Sequence, residues 1–129
     1  MKKIIVILLS IAFTSCHVSK KDKLEFKDYF FYRVSVIVNY NNLVENGEDI
    51  HLNDWMVFLE NCSYLETLTG CNLNFIDSEP PYYECPSQLS KDTANLSNWY
   101  NHNGDKWTMQ KADKYVYKKR KGHSVFFLR

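Results

Sequence analysis

The feature that most constrains this chain is a stripe of apolar residues in its middle. Trp55, Phe58, Leu59, Cys62, Leu65 and Leu68 recur at intervals of three and four, a spacing that lines one face of a helix and scatters over both faces of a strand. Asn53 or Asp54 can cap the first amides, and Gly70 supplies the left-handed backbone that ends the run. The pattern predicts a helix from Asn53 to Thr69 with its stripe buried in a core.

The flanking segments are less uniform. Between Phe26 and Val44, Phe26, Phe30, Val34, Ile37, Tyr40 and Val44 fit a helical stripe, whereas Tyr32, Val34, Val36, Val38 and Tyr40 fit one face of a strand. β-Branched density favours strand and the length of the segment favours helix, the reading adopted here. Residues 71–91 read as an irregular loop. Asp92 then caps a short helix from Thr93 to Asn103, with Leu96, Trp99, Tyr100 and Asn103 inward and Gly104 as the stop. Trp107 and Met109, a polar turn at Lys111–Lys114, and Tyr115 and Tyr117 alternate as a hairpin would, and Val125-Phe126-Phe127-Leu128 adds a last strand. The expected fold is α+β and mainly helical, two or three packed helices with a small C-terminal β-hairpin.

At the N-terminus, Lys2 and Lys3 precede an apolar run from Ile4 to Phe13, and Phe13-Thr14-Ser15-Cys16 follows. The run is about half of what a bilayer-spanning helix requires, so the segment reads as a leader that is removed. The four residues ending at Cys16 resemble the lipobox at which bacterial lipoprotein signal peptides are cut. That resemblance implies cleavage before Cys16 and a diacylglycerol on its thiol, hence a protein anchored in the cell envelope, on the periplasmic side. An ordinary secretory signal with an incidental cysteine fits the same residues. Residues 1–15 are then signal peptide, 16–24 a polar tether beginning at the anchor, and 25–129 a single globular domain.

Removing 15 of the 129 residues leaves 114, enough for one domain with a real core. Hydrophobic content of 45%, with 16% aromatic, excludes wholesale disorder. Without Lys2 and Lys3 the balance is 14 bases to 15 acids, and nothing global points to nucleic acid. The charges are unevenly placed. Residues 41–95 hold ten acids and a single base, Lys91, while residues 106–129 hold eight bases against Asp113 alone. Either the two halves attract each other, or Glu45, Glu48, Asp49, Asp77, Glu79 and Glu84 offer an acidic surface to a cationic protein partner while the basic tail lies near anionic lipid or glycan.

Chemistry-bearing motifs are scarce. With Cys16 assigned to the anchor, Cys62, Cys71 and Cys85 remain, an odd number in an oxidising compartment. A bridge between Cys71 and Cys85 would close a turn-rich loop, leaving Cys62 as a small buried hydrophobe. A zinc site would lack the close cysteine pair such sites use. His51, His102 and His123 are scattered, although His102 with Asp105 could touch a metal or serve, like His123, beside a carboxylate. No glycine-rich phosphate loop, HExxH, GxSxG or CxxC is present, so no cofactor or metal is expected.

Two blocks also carry a family likeness. Leu65-Glu66-Thr67-Leu68-Thr69-Gly70, followed by Leu96, Trp99-Tyr100, Asn103 and Lys106-Trp107, resembles a pattern in small uncharacterised Bacteroidetes-type lipoproteins. There a helix ending in Leu-Thr-Gly leads through a proline-containing loop to a helix with paired aromatics. The resemblance implies a helix at residues 26–44 and a structural role for Trp99 and Tyr100, which would return over the stripe of residues 55–68. Asp92-Thr93-Ala94 resembles an O-glycosylation signal of that group, and a plain helix cap explains the same residues. The expected function is a non-enzymatic binding or immunity-like module at the envelope. A small hydrolase using a His/carboxylate pair and a structural lipoprotein of a membrane complex are the alternatives.

Overall fold

A computed structural model describes residues 18–127, with side chains through Gly122. Four helices make the fold: α1 (Lys20–Glu45), α2 (Leu52–Thr69), α3 (Pro86–Asn103) and α4 (Met109–Phe127), with a 3-10 turn at Gly104–Lys106. Among the described residues there is no strand, only an isolated antiparallel bridge between Ile76 and Tyr82.

Helix α1 starts where the Asp22 N–H donates to Ser19 Oγ at 3.1 Å. Residues 20–24, expected as tether, are therefore its first turn. The helical stripe of the ambiguous segment is the one that is buried. Phe26, Phe30, Val34, Ile37 and Tyr40 are in the core, while Tyr32 on the competing strand pattern is 66% exposed. His51, rather than Asn53 or Asp54, is the capping residue of α2. Asp54, in its third position, accepts from the His51 N–H at 3.1 Å. Gly70 ends it at φ 73°, where a Cβ would be strained.

The expected β-hairpin is absent, and the segment assigned to it is α4. Thr108 caps that helix through the Lys111 N–H at 3.1 Å, and Ala112 and Val116, four residues apart, are buried. Trp107, in extended backbone just ahead of the helix, and Tyr115 of α4 meet edge to face with ring centroids 5.3 Å apart. Val125–Phe127, expected as a strand, lie within the same helix. Helix α3 starts at Pro86, whose missing N–H is no loss in a first turn, and not at Asp92. Asp92 is instead buried within the helix.

Pairings fix the topology. Tyr40 stacks on Phe58 and Arg33 reaches Asn61, so α1 and α2 are antiparallel. Glu60 and Tyr64 of α2 meet Arg120 and Asp113, so α4 runs alongside α1 and against α2. Residues 70–85 climb back along the bundle, since Phe75 packs on Phe58 and the Tyr40 hydroxyl donates to the Pro81 carbonyl at 2.7 Å. Helix α3 then descends beside α2. The rings of Trp99 and Tyr100 pack on Phe30 and on Phe26, Phe30 and Phe31 of α1 respectively, against the same core that holds the α2 stripe. Leu73, Tyr83 and Leu96 belong to that core as well.

Candidate functional site

The topology gives the bundle two chemically different ends. One end holds the start of α1, the α3–α4 turn and the start of α4, joined by an ion pair of 4.0 Å between Lys23 and Asp105. The other holds the α1–α2 connection and the start of α3. All six acidic residues singled out from the sequence are exposed on this second end and the loop that climbs to it. Glu45, Glu48 and Asp49 lie at the end of α1 and beyond it. Asp77, Glu79 and Glu84 lie on the loop held near Tyr40 through Pro81. None of the six takes part in an ion pair among the described residues.

Of the ten acids in residues 41–95, Glu60 reaches the basic tail, accepting from Arg120 Nη1 at 2.9 Å. Arg120 also donates to Ser63. Beside this pair a groove of about 350 Å³ runs between α1, α2 and α4. At its centre, Asp113 Oδ1 accepts from the Tyr29 hydroxyl at 2.7 Å and the Tyr64 hydroxyl at 2.6 Å. Arg33 donates to the Tyr29 oxygen at 2.7 Å and to Asn61 at 3.1 Å, and its guanidinium lies 3.6 Å from the Tyr64 ring centroid. Burial, and then its donation to Asp113, push the Tyr64 hydroxyl far above the usual phenol range. Sequence gave no sign of this cluster, because its members are 28, 84 and 49 residues apart. Chemically it ties α4 to the α1–α2 pair.

A second polar cluster holds the climbing loop. Asp92, 1% exposed, accepts from the Asn74 N–H at 2.6 Å, the Asn74 side-chain amide at 2.9 Å and the Tyr83 hydroxyl at 2.8 Å. Glu66 accepts from the Leu73 N–H at 3.2 Å, and burial raises its carboxyl above the ordinary range despite that bond, with Asp92 adding a like charge. Cys62 lies in the same region. Desolvation, then Glu66 and Asp92, raise its thiol far out of reach of ionisation, so it is inert packing.

The remaining candidates are apart. Cys71 and Cys85 are free thiols, the first half-buried and the second exposed as the residue before Pro86. His102 Nδ1 contacts the Asn98 carbonyl at 2.7 Å, and Asp105 faces Lys23 instead of His102. His51 is an exposed helix cap, the side chain of His123 lies outside the described residues, and so does Cys16. Among the described residues no group of three His, Cys, Asp or Glu could hold a metal, and no helix is long and apolar enough to cross a membrane. Compared with protein-family models, curated proteins and solved structures, the chain matches none.

Proposed function

We propose that this protein is a lipid-anchored, non-enzymatic binding module of the bacterial envelope, held through Cys16 and offering an acidic surface to a cationic protein. The observation that supports this most is the separation of the two ends. The described chain starts at one end of the bundle, and Glu45, Glu48, Asp49, Asp77, Glu79 and Glu84 crowd toward the other with no ion pair among the described residues. A body tethered at its base with exposed carboxylates at its tip suits capture of a basic partner away from the membrane, an immunity-like role. The hydrolase alternative loses ground, since His102 is committed to a backbone carbonyl and Asp105 to Lys23. A structural lipoprotein of a membrane complex shares the anchor and differs in not needing the acidic tip.

Mass spectrometry of the N-terminal peptide from membranes, beside a Cys16→Ala variant, tests the anchor. Acylated Cys16 in the parent and a released variant are expected. A variant that stays on membranes, or a bare thiol in the parent, overturns the anchoring. Replacing Glu45, Glu48 and Asp49 by Gln, Gln and Asn should then weaken partner capture from the same membranes, and unchanged capture would leave the structural reading.

A further inference from the structure

We propose that the outward face of α4 is a docking surface for anionic phospholipid headgroups. The residues concerned are Trp107, Lys111, Lys114, Tyr115 and Lys118, which line a shallow depression of about 190 Å³. At about 100° per residue, positions 111, 114 and 118 fall within an arc of about 60° on one side of the helix, and Trp107, in extended backbone just ahead of it, closes the near end of the depression. Ala112 and Val116 point into the core, and Asp113 and Arg120 turn toward α2.

Charge complementarity favours an anionic occupant. No carboxylate pairs with Lys111, Lys114 or Lys118 among the described residues. Lys111 Nζ donates to the Lys106 carbonyl, at 2.9 Å, and lies 4.9 Å from the Trp107 ring centroid. The acid within α4, Asp113, is held in the groove by two phenols. Nearby acids face elsewhere: Asp105 is paired with Lys23, and Asp22 and Glu25 lie beside Met109 on the α1 side.

The aromatics point to a bilayer surface in particular. Trp107 is half-buried against Trp99 and stands edge-on to Tyr115, an apolar body beside a wet, cationic rim, which is the setting such rings occupy at headgroup level. Three lysines over about 10 Å of helix are few for a nucleic-acid track, but each adds usefully at an anionic leaflet. The face also begins at the bundle end where the described chain starts, the end a lipid on Cys16 would hold near the membrane. The orientation rests on the proposed anchor; the lipid affinity does not.

The test uses full-length Cys16→Ala protein, so anchor and face are read separately. Binding is compared on vesicles of phosphatidylcholine alone and on vesicles with about 30% phosphatidylglycerol, a density of charge that attracts basic segments. A Lys111→Ala/Lys114→Ala/Lys118→Ala variant shares the leader with its parent, so any pull from Lys2 and Lys3 cancels. The expected result is a preference of the parent for the charged vesicles that falls at least tenfold in the variant, with helix content unchanged by circular dichroism. Each lysine is worth about a fivefold change in partition at low salt. An unchanged preference in the variant overturns the proposal. So does equal binding to both vesicles, or a lysine-dependent affinity for heparin or DNA without vesicle preference. Failure here leaves the Cys16 acylation result untouched, and failure of acylation leaves this result standing.

Discussion

At the residue scale the fold depends on a carboxylate that has no cation. Asp92 holds the loop of residues 70–85 on the bundle by accepting from three donors of Asn74 and Tyr83. Asp92→Ala should cost about 3 kcal/mol, read as a drop of about 10 °C in Tm, because the buried Tyr83 hydroxyl and the two Asn74 donors would lose a charged partner. Tyr83→Phe removes one of these bonds and should cost about 1.5 kcal/mol. The double variant should cost less than the sum, with the shortfall measured by denaturant titration. Glu66 gives a pH signature of the opposite kind from an ion-paired carboxylate. Its carboxyl is raised above 4.5 in the fold, mainly by burial, so the native state favours the protonated form. That contribution to stability is complete below the ordinary glutamate range and fades as pH rises through the raised value. Glu66→Gln keeps an acceptor for the Leu73 N–H and has no charge to bury, so the variant should gain on the parent as pH climbs from about 4 to 7. Solvent still reaches the side chain, which holds the gain under about 1 kcal/mol. An advantage that shrinks with pH would count against the burial argument.

At the scale of elements, α4 is joined to the other helices by few apolar residues, chiefly Ala112 and Val116, and by the Asp113 cluster. Asp113→Ala should therefore loosen α4 selectively. About 2 kcal/mol of stability is at stake, and amide exchange should accelerate in residues 109–122 well before it does in α1 and α2. Asp113→Asn keeps an acceptor and should restore most of the protection. Gly104 fixes the turn that launches this helix, since a Cβ there would stand 2.6 Å from the Tyr100 ring. Gly104→Ala should force the ring out of the α1 aromatic cluster, lowering Tm and weakening near-UV dichroism. These contacts also explain what sequence could convey. The α2 stripe was legible because it repeats locally, and Pro86 was an unread sign of the α3 start. Residues 26–44 were ambiguous because both periods are written there, and long-range burial chose between them. Trp107, Tyr115 and Tyr117 alternate as a hairpin would, whereas the buried Ala112 and Val116, four apart, mark the helical face. Asp92 looked like a cap because aspartate before a helical stripe usually is one; its role depends on Asn74 and Tyr83, which local pattern cannot show. Of the candidate site, the exposed acids were evident as composition, but their gathering toward one end follows from the path of the climbing loop.

At the scale of the whole molecule, the question is whether the acidic middle and the basic tail are internal glue or surfaces for others. Contacts favour the second. The ion pair of Glu60 with Arg120 joins the two segments, and its side chains are 57% and 37% exposed. A pair that open to water contributes little to stability. Raising salt from about 0.02 M to 0.5 M shortens the screening length from tens of ångströms to a few. If charge held the segments together, the Tm would fall by many degrees over that range. With a core of aromatics and a weak bridge, it should shift by less than about 2 °C, as expected for a change of a few tenths of a kcal/mol. Attraction of the α4 face to phosphatidylglycerol vesicles, and of the acidic tip to a basic partner, should collapse over the same range. A Tm as salt-sensitive as binding would mean that these charges are spent on the fold, and both surface proposals would lose their electrostatic basis. A flat Tm beside steeply salt-dependent association would show that folding leaves the two charged faces free, one at each level of an anchored body.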